Sequence, residues 1–250
     1  MLSRALPPLI VAACLLAGWE AYCRLAGVSP LILPAPSAVL RALVLNRAEI
    51  AVHAGATLQV AAIGFSASVA VALAVSVALH FLPRAERALM PLFVASQTVP
   101  LVALAPLMIL WFGFGLLPKV LLVILVTFFP MLLTLLAGYR QTPPALRELL
   151  ASMGAGRGQV FFRACLPAAR PSFLSGLRVS ATYAIVATIF AEYAGARRGL
   201  GIYILQAKNT FRPDLVLAAV LVSAGLTLAL LALIGGLARL TARGPEARHD

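Results

Sequence analysis

Acidic residues are scarce in this chain: eight among 250, only two of them aspartate, against twenty arginines and lysines. Charged residues of both signs make up 11% of the sequence. A soluble domain carries roughly a quarter, so an ordinary water-soluble domain is excluded. Lysine occurs twice, as Lys119 after Pro118 and Lys208 after Ala207. Neither follows a glycine-rich turn, so no P-loop is present and ATP is not bound in that way. His53, His80 and His249 show no metal-ligand spacing and no paired carboxylate. Asp214 and Asp250 are not placed to form an intramembrane aspartate pair, and no serine with a histidine or lysine replaces them at membrane depth. Cys14, Cys23 and Cys165 lack Cys-x-x-Cys spacing and read as small buried apolar residues. These gaps leave no catalytic, metal or cofactor site, and the chain is read as a non-enzyme.

What is abundant is apolar surface: 62% of residues are hydrophobic and the mean hydropathy is +1.00. Aspartate, glutamate, lysine and arginine are absent between His53 and Arg84, from Leu89 to Pro118, from Val120 to Tyr139 and from Leu215 to Ala238. Each run reaches the roughly 20 residues that carry a helix across a bilayer. The strict alternation that a membrane strand needs is missing. Two further spans hold charges near their ends, Glu20 in the first and Arg178 with Glu192 in the fifth, where long side chains snorkel to the interface. The expectation is one all-α polytopic domain filling 1–250, with about six spans near 8–26, 56–82, 88–112, 117–138, 172–194 and 215–238.

With the N-terminus inside, the cytoplasmic side receives twelve of the twenty basic residues, among them Arg4, Arg84, Arg87, Arg140, Arg147, Arg157, Arg163, Arg170, Arg243 and Arg248. That bias follows the positive-inside rule and puts both termini in the cytoplasm. Cationic loops facing an anionic leaflet account for the net charge of +12 without nucleic acid. Val11-Ala12-Ala13-Cys14 imitates a lipoprotein cleavage site, but apolar residues continue through Trp19 and the segment reads as an uncleaved first span. After Leu33-Pro34-Ala35-Pro36-Ser37, with Ser37 as cap, the pattern predicts a short helix at the outer surface. Gly64, Ser66 and Ser68 read as small residues that let helices approach closely.

A polar, arginine-bearing loop, 142–171, separates two of these runs. Thr142 fits an N-cap, with Pro143 and Pro144 in the first turn. Leu146, Leu149, Leu150 and Met153 then share one helical face, and Gly154 ends the helix. Glycines 154, 156 and 158 form a turn whose backbone can approach another surface closely. A second short helix, 159–166, carries Phe161 and Cys165 together and ends at Pro167. On periodicity alone, two readings stay open: a docking surface, or amphipathic helices resting on lipid. In the third span Pro100 and Pro106 free backbone groups beside Gln97 and Thr98, which line a solute path or bond to a neighbouring helix. Thr188 and Glu192 lie one turn apart on the fifth span. Glu192 serves there as a gate residue or as an interfacial carboxylate paired with Arg197 or Arg198.

The order Glu148, Gly154-Ala155, Gln159, Phe161, Leu166-Pro167-Ala168-Ala169 resembles the EAA loop of ABC importer permeases, with Leu149 and Leu150 standing where the family has alanines. Trp111-Phe112-Gly113-Phe114-Gly115, Phe128-Phe129-Pro130, Gly176-Leu177-Arg178, Ala191-Glu192 and Gly199-Leu200-Gly201 extend the resemblance to binding-protein-dependent permeases of the nitrate, sulfonate and taurine type. Ser96-Gln97-Thr98-Val99-Pro100 through Ala105-Pro106-Leu107 is most similar to a subgroup linked to uptake of pyrimidine thiamine precursors. The resemblance implies a second permease copy, a cytoplasmic ABC ATPase and an extracytoplasmic solute-binding protein as partners, in the lipid of a bacterial inner membrane. It also implies ATPase coupling through Glu148, Ser152, Gly154, Ala155, Gly156, Leu166 and Pro167. Taurine, sulfonate or nitrate are the alternative solutes, and an ATP-independent carrier or channel is the remote alternative function.

Overall fold

The computed structural model describes residues 2–241, with the side chains of residues 6, 7 and 10–240. Arg4, Arg243, Arg248, His249 and Asp250 therefore lie outside the described side chains. Every regular element among the described residues is helical: α1 (Leu2–Leu25), α2 (Pro36–Leu45), α3 (Arg47–Phe81), α4 (Pro83–Ser96), α5 (Leu101–Phe112), α6 (Leu116–Arg140), α7 (Pro144–Ser152), α8 (Arg157–Val160), α9 (Leu166–Ala168), α10 (Arg170–Tyr193), α11 (Leu200–Asn209) and α12 (Pro213–Thr241). One π-helical turn, Phe161–Cys165, joins α8 to α9.

Among the described residues, α3, α6, α10 and α12 are each long and apolar enough to cross a membrane. The expected third span is not straight. It is the pair α4 and α5, bent by 100° across residues 97–100, because Pro100 has no N–H to continue the ladder and takes an extended conformation at the start of α5. Where the first span was expected stands the 24-residue helix α1, which is not among the helices that meet this test. The second is longer than its apolar run. At 35 residues α3 extends about 52 Å, well beyond a core of about 30 Å. A further helix, α11, stands between the fifth and sixth spans, where the sequence pattern gave no span and no helix was expected.

Packing centres on α6, whose contacts with α3 and α10 are the most extensive in the molecule. The central helix buries large residues, including Leu122, Met131, Leu132, Leu135 and Tyr139. Its neighbours supply small ones. Thr57, Ala61, Gly64, Ser68, Ala72 and Ser76 form a buried stripe along α3, and Gly176, Ser180, Ala181, Ala184, Ala187 and Ala191 do the same on α10. Lipid tails are as apolar as leucine, so close backbone approach and dispersion hold such helices together. A Cβ on Gly64 would stand 2.7 Å from the Val123 Cβ, which explains the glycine. Gly64 and Ser68 lie in this stripe as the sequence suggested, whereas Ser66 is out of phase and exposed.

Ser37 does not cap α2. The N-cap is Ala35 and Pro36 takes the first position, so the cap comes from another helix. The Glu20 carboxylate of α1 accepts from the Ser37 N–H at 2.9 Å and from the Ser37 hydroxyl at 2.7 Å, while also pairing with Arg24. A carboxylate at a helix N-terminus satisfies an orphan donor and complements the helix dipole.

Candidate functional site: an exposed loop at one end and a clamped turn at the other

Two constellations stand at opposite ends of the bundle. At the loop end, Pro143 rather than Thr142 precedes α7, and the Thr142 hydroxyl is buried, donating to the Tyr139 carbonyl at 3.0 Å. Helix α7 closes at Gly154 as the spacing suggested. Gly154 has φ +82°, its N–H donates to the Ala151 carbonyl, and the Ala155 N–H reaches back to the Leu150 carbonyl, both at 3.0 Å. This is a Schellman closure, which needs the left-handed conformation that glycine adopts without strain. The next helix begins at residue 157, two residues earlier than expected, where the Gln159 side chain accepts from the Gly156 N–H at 3.0 Å. It then runs through the π turn past Pro167, breaking only at Ala169.

The two halves of the loop differ sharply in packing. No residue of α7 is buried; Leu146, Leu149 and Met153 are 40%, 56% and 76% exposed on one face. Glu148, Ser152, Gly154 and Gly156 are exposed beside it, Ala155 is half-buried, and a Cβ at Gly154 or Gly156 would meet nothing. The second half is anchored. Phe161 is fully buried, its ring 4.6 Å from His80, 5.0 Å from Tyr139 and 5.2 Å from Phe81. Cys165 is buried in the same cluster, as expected, and Leu166 packs at its edge. Tyr139 is tied to α3 through the Ser76 hydroxyl at 3.0 Å. An ion pair between Arg140 and Glu86 joins α6 to α4 nearby.

At the opposite end, Glu192 forms no ion pair with Arg197 or Arg198, correcting the expected pairing. It is fully buried and accepts from the Thr57 hydroxyl at 2.9 and 3.0 Å and from the Gly201 N–H at 2.8 Å. Thr57 in turn accepts from the Leu200 N–H at 2.7 Å. Helix α11 begins after a glycine that has no side chain to cap it, so α3 and α10 supply the cap in its place. His53 Nδ1 lies 2.9 Å from the Gly199 carbonyl and 3.1 Å from its N–H, and its tautomer decides which bond forms. The glycines now have a reason. Gly199 has φ +141°, and a Cβ there or at Gly201 would collide with the Glu192 side chain. Tyr203 stacks on His53 at 5.1 Å between ring centroids, and burial, with the nearby Glu49 carboxylate, pushes its phenol above the ordinary tyrosine range.

Two cavities lie near these residues. One, of about 350 Å³, is lined by Gln97, Thr98, Leu125, Tyr183 and Ala187 at the bend between α4 and α5. Gln97 also approaches the Leu125 carbonyl at 3.4 Å, and the Thr98 hydroxyl bonds within its own turn, to Ala95. The other, of about 960 Å³, opens at the α11 end between Gln59, Phe114, Lys119, Arg197 and Arg198. Thr188 reaches neither cavity; it is buried and donates to the Ala184 carbonyl at 2.8 Å. The clamp on α11 was missed in the sequence. Its only trace was the pairing of Glu192 with the glycines at 199 and 201.

Comparison with known proteins agrees with this architecture. A family model described as the binding-protein-dependent transport system inner membrane component matches residues 70–244. The formylaminopyrimidine transport permease protein ThiX of Halalkalibacterium halodurans is 35% identical over 233 residues, covering 93% of this chain and 91% of that protein. The riboflavin transport system permease protein RibX of Chloroflexus aurantiacus is 36% identical over 231 residues, 92% of this chain and 86% of its own. The taurine transport system permease protein TauC of Escherichia coli is 33% identical over 219 residues, 85% and 80% respectively. The matched segment contains the bent pair, the exposed loop and the clamped turn, and the chain belongs to the binding-protein-dependent permeases of ABC importers, multi-pass membrane transport subunits.

Proposed function

We propose that two copies of this permease pair in a bacterial inner membrane, with both termini and the 142–171 loop in the cytoplasm, each loop seated on an ABC ATPase. A binding protein outside delivers the solute. The observation that carries the reading is the contrast within the loop: an α7 with no buried residue and with Leu146, Leu149 and Met153 exposed, on a support fixed by Phe161. An apolar face rimmed by charge suits a protein partner. Closure of the ATPases on ATP moves α7 as a rigid lever, with Glu148, Ser152, Gly154, Ala155 and Gly156 at the contact and Leu166 and Pro167 in the support. The displacement passes through Phe161 to Tyr139 and His80, at the ends of α6 and α3. Coupling is mechanical and biases two packings of the bundle.

Gln97 and Thr98 are proposed to line the solute path, since both face the cavity at the bend. Thr188 and Glu192 support its wall from within. The solute is a hydroxymethylpyrimidine-type thiamine precursor, a reading supported by the similarity to ThiX; taurine or another sulfonate is the alternative, favoured by the similarity to TauC. Two measurements test this. Gly154→Asp, which puts a charged Cβ branch at a left-handed position, is expected to abolish ATPase co-purification and uptake at unchanged expression; full retention of both would end the coupling role. Calorimetry of the cognate binding protein is expected to show micromolar or tighter affinity for an aminopyrimidine. Binding of taurine, an alkanesulfonate or nitrate instead discards the solute and leaves the permease role standing.

A further inference from the structure

Arg178 is an anomaly of place. It sits eight residues into α10, about 12 Å along the helix from Arg170, exposed on a span, with no salt bridge or hydrogen bond to any described residue. A guanidinium on a span is costly unless it snorkels to water or meets an anion. The described residues offer none. Among the described acidic residues, Glu20, Glu86 and Asp214 are already paired with Arg24, Arg140 and Arg212. Glu192 is bonded to Thr57, Glu49 lies at the opposite end beside His53, and Glu148 stands on the exposed α7. A second copy brings the same set.

Across from Arg178, a groove of about 750 Å³ runs between α10 and α12, with Arg239 on its far wall. Val179, Leu231 and Ala232 give it apolar surface, beside Thr182 and Tyr183. Gly235 and Gly236 widen it: a Cβ on either would meet nothing, so close helix packing does not require glycine there. Two cations with no partner among the described residues, above an apolar groove on the flank of the bundle, match one molecule in both halves. We propose that this groove is a binding site for an anionic phospholipid, the phosphate held by Arg178 and Arg239 and an acyl chain laid along Val179, Tyr183 and Leu231. Basic pockets between transmembrane helices hold such headgroups for the same electrostatic reason. The inference rests on the membrane reading and not on the coupling role of the loop.

Native mass spectrometry of the full chain, released from bilayers of phosphatidylglycerol and phosphatidylcholine with matched acyl chains, tests it. Wild type is expected to retain phosphatidylglycerol over phosphatidylcholine by on the order of tenfold. Arg178→Gln with Arg239→Gln is expected to erase the preference, while Arg197→Gln with Arg198→Gln at the other end leaves it. Gly235→Leu keeps both charges and fills open space, so it folds, and it is expected to lower retention as well. Equal retention of the two lipids, or a preference untouched by the double variant, overturns the site. Displacement of the lipid by excess inorganic phosphate would show an anion site with no acyl contribution and overturns it too.

Discussion

Single atoms decide the helix spacing in this bundle. The Gly64 position faces the Val123 Cβ, which is the branch point of a stiff side chain and not its flexible end. Gly64→Ala is therefore expected to push α3 from α6 and cost about 1–3 kcal/mol, read as a lowered unfolding temperature of the purified protein. Gly225→Ala on α12, where a Cβ meets nothing, serves as the neutral control. Glu192 gives a second test. Glu192→Gln keeps an oxygen for the Gly201 N–H and for the Thr57 hydroxyl. Glu192→Leu leaves a buried N–H unsatisfied, at about 1–3 kcal/mol for that donor. The expected order of stability is wild type, then Gln, then Leu; a Leu variant as stable as wild type would remove the clamp.

Elements differ in how they are held, and the difference is local. Helix α7 has no buried residue while the next turn is pinned by one fully buried ring. Phe161→Ala opens a cavity among His80, Tyr139 and Phe81, a loss of about 3–5 kcal/mol. Amide hydrogen exchange should rise first across 157–169, before α6 and α10 loosen. Uniform loosening of the whole chain would contradict the local anchor. The end of α7 and its apolar face were legible because glycine at a helix stop and leucines at helical spacing act locally. Its start was misjudged: Thr142 has the chemistry of a cap, but the Tyr139 carbonyl one turn back was within reach of its hydroxyl. The bend of 100° between α4 and α5 could not be measured from Pro100 and Pro106, since a proline frees the ladder without fixing the angle.

At the scale of the molecule, the two ends carry different chemistry, and their sidedness is testable. Arg163→Cys, exposed on the anchored half of the loop, is expected to react with a membrane-impermeant thiol reagent only after cells are permeabilised. Arg198→Cys, at the rim of the other cavity, is expected to react in intact cells. The reverse pattern would invert the proposed topology. Cys23 and Cys165 are buried and should stay silent, while Cys14 is exposed and is best replaced by serine before labelling.

Composition and apolar runs alone determined that the chain is a helical membrane protein, because the bilayer forces backbone groups to pair within each span. The residue order from Glu148 to Pro167 determined the family, because a helix stop and a buried aromatic anchor leave local marks. The tertiary structure alone decided which small residues face α6, how Glu192 and Thr57 cap a helix that neither belongs to, and that Arg178 and Arg239 share one groove. The last two pairings join positions 135 and 61 residues apart. Periodicity within one helix does not encode which distant face will cover it.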